Sequence, residues 1–130
     1  MNWTVTMQSA QISQRWTTQT PERKLNLVGE INQILVTSVG DYPNFDMVAG
    51  AFKLSGRTLR RQLADAGTSY QKLVDTNRSE YALNCLNSTN MTTDDIAESL
   101  GFSDVANFRH AFKKWIGMSP AAYRAHRLVS

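Results

Sequence analysis

The sequence predicts an all-α protein in which one paired-helix unit occurs twice, the copies joined by a long connector helix. Three observations carry that prediction. Apolar residues recur at helical spacing through most of the chain beyond residue 20. Residues 49–55, AGAFKLS, are echoed by residues 97–103, AESLGFS. Between the echoes, residues 69–87 read as one unbroken amphipathic stretch.

Residues 1–20 are rich in Thr, Gln and Ser, with Trp3 and Trp16 as the large aromatics, and read as a linker or the tail of an upstream segment. Trp3, Val5 and Met7 alternate over too few residues to predict a strand. The first helix starts at Thr20-Pro21, because threonine caps well and proline suits the first helical position. Leu25, Val28, Ile31 and Leu35 mark its buried stripe, and Gly40 is expected to end it. Asp41-Tyr42-Pro43 makes a turn, and Asn44 can cap the next helix.

The two echoes then unfold in parallel. Each reads small, two variable residues, large apolar, one variable residue, large apolar, serine. An amphipathic helix follows each serine, with Leu59 and Leu63 buried in the first and Phe108, Phe112 and Trp115 in the second. Each helix meets a glycine, Gly67 or Gly117, suited to the left-handed position after a helix, and each glycine precedes a new helix start at Thr68-Ser69 or Ser119-Pro120. The connector shows two stripes, one of Leu73, Val74 and Tyr81 and one of Ala82, Cys85 and Leu86, so it offers a buried side to each neighbour. Cys85 falls on the second stripe and is read as a small buried hydrophobe.

Two helices that cross at a tight turn need a small residue where they touch, an apolar plug in the turn and a cap for the second helix. Ala49 and Ala97, Leu54 and Phe102, and Ser55 and Ser103 supply these. That is the helix-turn-helix layout, whose second helix enters the major groove of DNA. The copies differ by one residue: ten positions separate Ala49 from Leu59, eleven separate Ala97 from Phe108. Gly101 occupies the second turn, whereas Lys53 holds its place in the first and must either avoid positive φ or accept strain. The reading is therefore all-α, two helix-turn-helix subdomains (residues 21–67 and 88–130) joined by a connector helix (68–87), together one DNA-binding domain over 21–130.

Composition narrows the function classes. The 130 residues are 42% hydrophobic, enough for a packed core, and no apolar run approaches the roughly 20 residues of a membrane span. The N-terminus lacks a signal-peptide pattern, and one cysteine allows no internal disulfide, so a cytoplasmic protein is expected. Net charge is only +3, but it is unevenly placed. Lys53, Arg57, Arg60 and Arg61 cluster with no acid between them, and after Asp104 only cations follow: Arg109, Lys113, Lys114, Arg124 and Arg127. Two basic patches suit a polyanionic partner. Neither a glycine-rich phosphate loop nor zinc-ligand spacing is present, and no cofactor, metal site or catalytic residue is expected. Asp94 and Asp95 are adjacent, so they diverge on a helix and suit its N-terminus better than acid–base work.

The outward faces carry the candidate contacts. Arg57, Arg60 and Arg61 stand opposite Leu59 and Leu63, and Ala106, Asn107 and His110 stand opposite the aromatics of the second copy. Arginine can pair with guanine and asparagine with adenine, and Ala106 can touch a thymine methyl. Ser55, Ser103, Arg109, Lys113 and Lys114 are assigned to phosphates. A connector of about 18 residues spans roughly 27 Å, close to the roughly 34 Å between successive major grooves on one face of DNA. The alternative is a helical protein-interaction module with weak or no DNA binding.

Residues 96–124, IAESLGFSDVANFRHAFKKWIGMSPAAYR, resemble the signature of the AraC/XylS family of bacterial transcriptional regulators, supported by PNFDMVAGAFKLSGRTLRRQLADAG and the connector. The resemblance covers about residues 21–128. It implies a two-subdomain helical DNA-binding domain with double-stranded DNA as partner, RNA polymerase as a second one that such a regulator can meet, and no membrane. Its base readers fall on Arg57, Arg60, Arg61, Ala106, Asn107 and His110. His110 stands where the family usually has arginine or lysine, Ala106 where it often has serine or threonine, and Lys53 where glycine is frequent. The arginine-rich first reading helix is therefore expected to dominate affinity. Most members carry a separate effector or dimerisation domain, which residues 1–20 are too short to hold; the chain is expected to be a short member or a fragment.

Overall fold

A computed structural model describes residues 21–129. The readings of residues 1–20, including Trp3, Trp16 and the cap at Thr20, lie outside the described residues, as does the Leu25 side chain. Seven helices are described: α1 (Pro21–Val36), α2 (Phe45–Ala51), α3 (Gly56–Asp65), α4 (Tyr70–Ser88), α5 (Thr93–Ser99), α6 (Val105–Ile116) and α7 (Pro120–Val129). Among the described residues there is no strand.

On α1 the buried stripe is Leu27, Ile31 and Leu35, with Val28 only half-buried. Leu27 lies four and eight residues before Ile31 and Leu35, a spacing as helical as the three and seven of Val28, which the sequence reading follows. The helix stops at Val36, four residues before Gly40. Val36, Thr37, Ser38 and Val39 are β-branched or hydroxylated and favour leaving a helix. The chain turns there through Ser38 N–H to Leu35 O (3.0 Å) and Asp41 N–H to Ser38 O (2.9 Å). Gly40 does other work: it has φ +90°, and a Cβ on it would lie 2.6 Å from the Ser99 carbonyl oxygen. A Cβ on Gly101 would lie 2.6 Å from the Gly40 carbonyl oxygen. Two backbones approach here more closely than any side chain permits.

The two paired-helix units share one turn. After α2, Lys53 N–H donates to Gly50 O (3.0 Å) and Leu54 N–H to Ala49 O (2.9 Å). After α5, Gly101 N–H donates to Glu98 O (3.0 Å) and Phe102 N–H to Ala97 O (3.0 Å). This pair of bonds satisfies the orphan carbonyls of the helix end and requires a left-handed residue before the plug. Gly101 adopts it at φ +83°, and Lys53 accepts it at φ +57°. Ala49 and Ala97 are both buried, as expected of the small residues at a crossing.

The caps correct the sequence reading in one copy. Asn44 caps α2 and Ser55 caps α3, where its Oγ accepts from Thr58 N–H (3.1 Å). In the second copy the cap is Asp104, whose carboxylate accepts from Asn107 N–H at 2.7 Å, and Ser103 lies outside the helix. Both residues cap well, and the longer turn selects the later one. It also resolves the unequal spacing: Leu59 follows Ser55 by four positions, and Phe108 follows Asp104 by four. The extra residue lies in the turn. Asp95 completes a capping box with Thr92, and Asp94 shares the first turn of α5.

Two compact units divide the chain, one holding residues 21–34 and Asn44–Tyr70, the other Leu35–Pro43 and residues 71–129. In the first, Leu27, Ile31, Val48, Ala49, Leu59 and Leu63 are buried. In the second, Ala82, Cys85, Leu86, Ile96, Ala97, Leu100, Phe108 and Phe112 form one cluster. Phe102 packs on Phe108 and Trp115, with ring centres 5.5 and 6.2 Å apart. Tyr81 also joins this cluster, so it belongs with Ala82, Cys85 and Leu86 rather than with Leu73 and Val74. Cys85 is a buried free thiol.

Two pairs of substitutions test these assignments by urea unfolding. Gly101→Ala should cost at least about 2 kcal/mol, combining left-handed strain with the backbone clash. Lys53→Gly should stabilise by up to about 1 kcal/mol, since relief of about 1–2 kcal/mol exceeds the unfolded-chain entropy of glycine. Asp104→Ala should cost about 1 kcal/mol and Ser103→Ala no more than about 0.5 kcal/mol; the reverse order would return the cap to serine.

Candidate nucleic-acid interface

Helix α3 keeps Leu59 and Leu63 inside and leaves Arg57, Arg60 and Arg61 exposed. The arginines sit three and four residues apart, so they share one face. Arg60 is not loose: its guanidinium carbon lies 5.0 Å from the centre of the Phe45 ring. Phe45 in turn stands 6.0 Å from Tyr70, ring centre to ring centre, and fits beside Gly56, where a Cβ would come within 3.3 Å of its ring. A cation held over an aromatic face keeps its charge while losing rotamer freedom. Glycine at the first position of α3 thus makes room for the ring that seats Arg60. The first turn of α3 holds no acid. Ser55 Oγ donates to Thr58 Oγ1 (2.9 Å), so its hydroxyl hydrogen is already engaged.

Helix α6 buries Phe108 and Phe112 and exposes Ala106, Asn107, Arg109, His110, Lys113 and Lys114. Lys113 and Lys114 fall in its last turn, where cations also complement the helix dipole. The front of this helix differs from α3. Asp104 sets a carboxylate at the cap, and the Asn107 side chain turns back to it: Nδ2 donates to Asp104 Oδ2 and to Ser103 Oγ, each at 3.3 Å. Ser103 is exposed and acts as acceptor in that bond, so its own O–H is left to give.

One member of the C-terminal basic run leaves the surface. Arg124 is half-buried, and its guanidinium donates to the carbonyls of Met91 (2.7 Å), Thr89 (3.2 Å), Cys85 (3.3 Å) and Leu86 (3.4 Å). Those carbonyls belong to the end of α4 and the loop beyond it, which the planar fork of an arginine reaches from α7. Arg124 is a cap for α4, and the basic patch loses one charge to it. Sequence reading missed this, and it missed Phe45 and Asp104. The signal for Asp104 was present, since aspartate three residues before Asn107 is a good cap. Nothing local marks Phe45, whose role depends on a residue fifteen positions later.

Among the described residues no group of His, Cys, Asp and Glu side chains is placed to hold a metal ion, and no helix is long and apolar enough to cross a membrane.

Residues 48–126 match a helix-turn-helix domain family. The chain is 41% identical over 98 residues to the ornithine utilization regulator of Pseudomonas aeruginosa, covering 75% of this chain and 29% of that protein. The chain thus spans less than a third of that relative's length. Among solved structures, the C-terminal domain of AraT, a response regulator from Geobacillus stearothermophilus, superposes with a TM-score of 0.68 at 31% identity, covering 77% of this chain and 84% of that one. The DNA-binding domain of AdpA, a global transcriptional factor solved in complex with a target DNA, superposes with a TM-score of 0.67 at 26% identity, covering 76% and 90%. With two matching turns, two exposed polar helix faces and these relatives, the chain belongs to the helix-turn-helix domain family of the AraC type.

Proposed function

We propose that this chain is the sequence-reading part of a bacterial transcriptional regulator, with α3 and α6 each entering a major groove of double-stranded DNA on adjacent turns. The observation that carries the reading is the exposed arginine face of α3, backed by buried Leu59 and Leu63 and free of acid in its first turn. Arg57, Arg60 and Arg61 are assigned to base edges, guanine above all, because the guanidinium fork matches its two acceptors. Ala106, Asn107 and His110 are assigned to bases from α6. Arg109, Lys113 and Lys114 are assigned to phosphates, where charge matters more than geometry. Ser103 joins them through its O–H. Ser55 is assigned there too, although its hydroxyl must first release Thr58. The chain acts by binding and performs no catalysis on this reading. Chromosomal DNA as target places it in the cytoplasm, with RNA polymerase as the second partner at a promoter.

Selection of duplexes from a random pool, followed by fluorescence anisotropy on the enriched site, tests the proposal. Contact with about six phosphates gives a log–log salt slope near −5. Arg61→Ala should weaken the enriched site by about 1–3 kcal/mol and relax preference at one base pair. No enrichment together with a flat salt response would instead favour a protein-interaction module.

A further inference from the structure

We infer that Asp104 fixes the orientation of the Asn107 amide, so that Asn107 offers DNA a hydrogen-bond acceptor and selects a base carrying an exocyclic amine. The inference rests on the proposed DNA-binding role of α6. Asp104 Oδ1 is committed to the Asn107 backbone N–H at 2.7 Å, and Oδ2 faces the Asn107 side chain at 3.3 Å. A carboxylate has only acceptors, so the group turned to it must be the NH2. Ser103 Oγ takes a second bond from the same nitrogen at 3.3 Å. Both amide hydrogens are spent within the first turn and the residues before it, and the carbonyl oxygen of this exposed side chain remains for a ligand. Asparagine that reads adenine with both its atoms needs a hydrogen for N7. Here none is left unless a bond to Asp104 or Ser103 breaks. A single acceptor pairs with cytosine N4 or adenine N6 and finds no partner on thymine O4 or on guanine O6 and N7. Asp104 is therefore a positioning residue for base choice as well as the cap of α6.

The diagnostic contrast is cytosine against thymine, because the first presents only an amine in the major groove and the second only an oxygen and a methyl. Wild-type chain, Asn107→Ala and Asp104→Asn are each measured on the site enriched from a random duplex pool, with all four base pairs at every position. Asn107→Ala identifies the position by levelling its preference. There the wild type should favour cytosine over thymine by roughly tenfold. Asp104→Asn keeps a capping oxygen but turns an NH2 toward Asn107, so the amide flips and the cytosine-to-thymine ratio inverts. Loss of one negative charge strengthens binding to every duplex alike, and the ratio does not register it. A wild-type preference for thymine or guanine at that position overturns the inference, as does an unchanged ratio in Asp104→Asn, or an Asn107→Ala variant that levels nothing. In all three cases the enriched site and its salt slope leave the DNA-binding role standing. A wild-type chain that enriches no sequence removes both.

Discussion

The hydrogen bonds from Leu54 N–H to Ala49 O and from Phe102 N–H to Ala97 O decide where each reading helix begins and which way it faces. Each closes a helix end with a left-handed residue, and the chain leaves that residue in a direction no continuing helix could take. The plug side chain then drops toward the core while the cap starts the next helix. Because the helical rotation per residue is fixed, the cap position determines which side chains of α3 or α6 lie inside. Four positions after the cap comes a fully buried residue in both copies, Leu59 or Phe108. The arginines of α3 and the polar residues of α6 are outside as a consequence of that phase. Lys53 shows how strongly the turn is demanded: a non-glycine residue sits at φ +57° where Gly101 sits at +83° in the copy. Left-handed backbone costs a non-glycine residue about 1–2 kcal/mol, which the packed helix pair must offset.

The second unit carries an additional constraint at the same turn. Gly101 serves the turn and also lets the Gly40 carbonyl approach, and Gly40 does the same for the Ser99 carbonyl. Neither glycine tolerates a Cβ, for two independent reasons. Lys53 in the first copy is exposed, so its side chain meets solvent, and left-handed strain at φ +57° remains its cost. Arg124 adds a different kind of closure. An arginine that donates to four carbonyls ties the loop after α4 to the end of that helix, where the Cys85 carbonyl also accepts from Thr89 N–H (3.1 Å) and Thr89 Oγ1 (2.6 Å), and hydrogen bonds from a charged donor are the stronger kind.

Much of this was legible in the sequence because it depends on apolar periodicity and on short-range signals. The duplicated turn, the buried faces of α3 and α6, the caps at Asn44 and Ser55 and the burial of Cys85 follow from spacing and residue type. What escaped did so for identifiable reasons. Ser103 and Asp104 are adjacent and both cap well, so local preference could not choose; turn length chose. Leu27 against Val28 is a question of phase on a helix, because Ile31 and Leu35 fit either one by helical spacing. Tyr81 sits between two stripes, and only the packed cluster shows which one claims it. Gly40 looked like a helix terminator because glycine often is one, yet the β-branched run before it had already ended α1. Arg124 and Phe45 act across 33 to 39 and 15 positions respectively, and a charge count along the chain cannot see where a side chain ends.

The two outward faces are consequently unequal in kind. Helix α3 presents three arginines and begins on a hydroxyl; its own acid, Asp65, is its last residue, the Asp46 carboxylate lies near Gly56, and the Phe45 ring limits the freedom of Arg60 without neutralising it. Helix α6 begins on a carboxylate that would repel a phosphate placed at the same end. A helix chosen for affinity alone would not carry it, since each exposed phosphate contact is gained through charge. What the carboxylate gives in exchange is order: it starts the helix on a strong cap and holds the one amide of the face in a single orientation. Under the proposed reading, attraction then comes mainly from α3 and from Arg109, Lys113 and Lys114, while the front of α6 contributes discrimination. A conformationally free asparagine could satisfy either a donor or an acceptor on a base and would distinguish neither. Fixing it costs favourable charge at one end of α6, and selectivity at a base edge is what that cost can return.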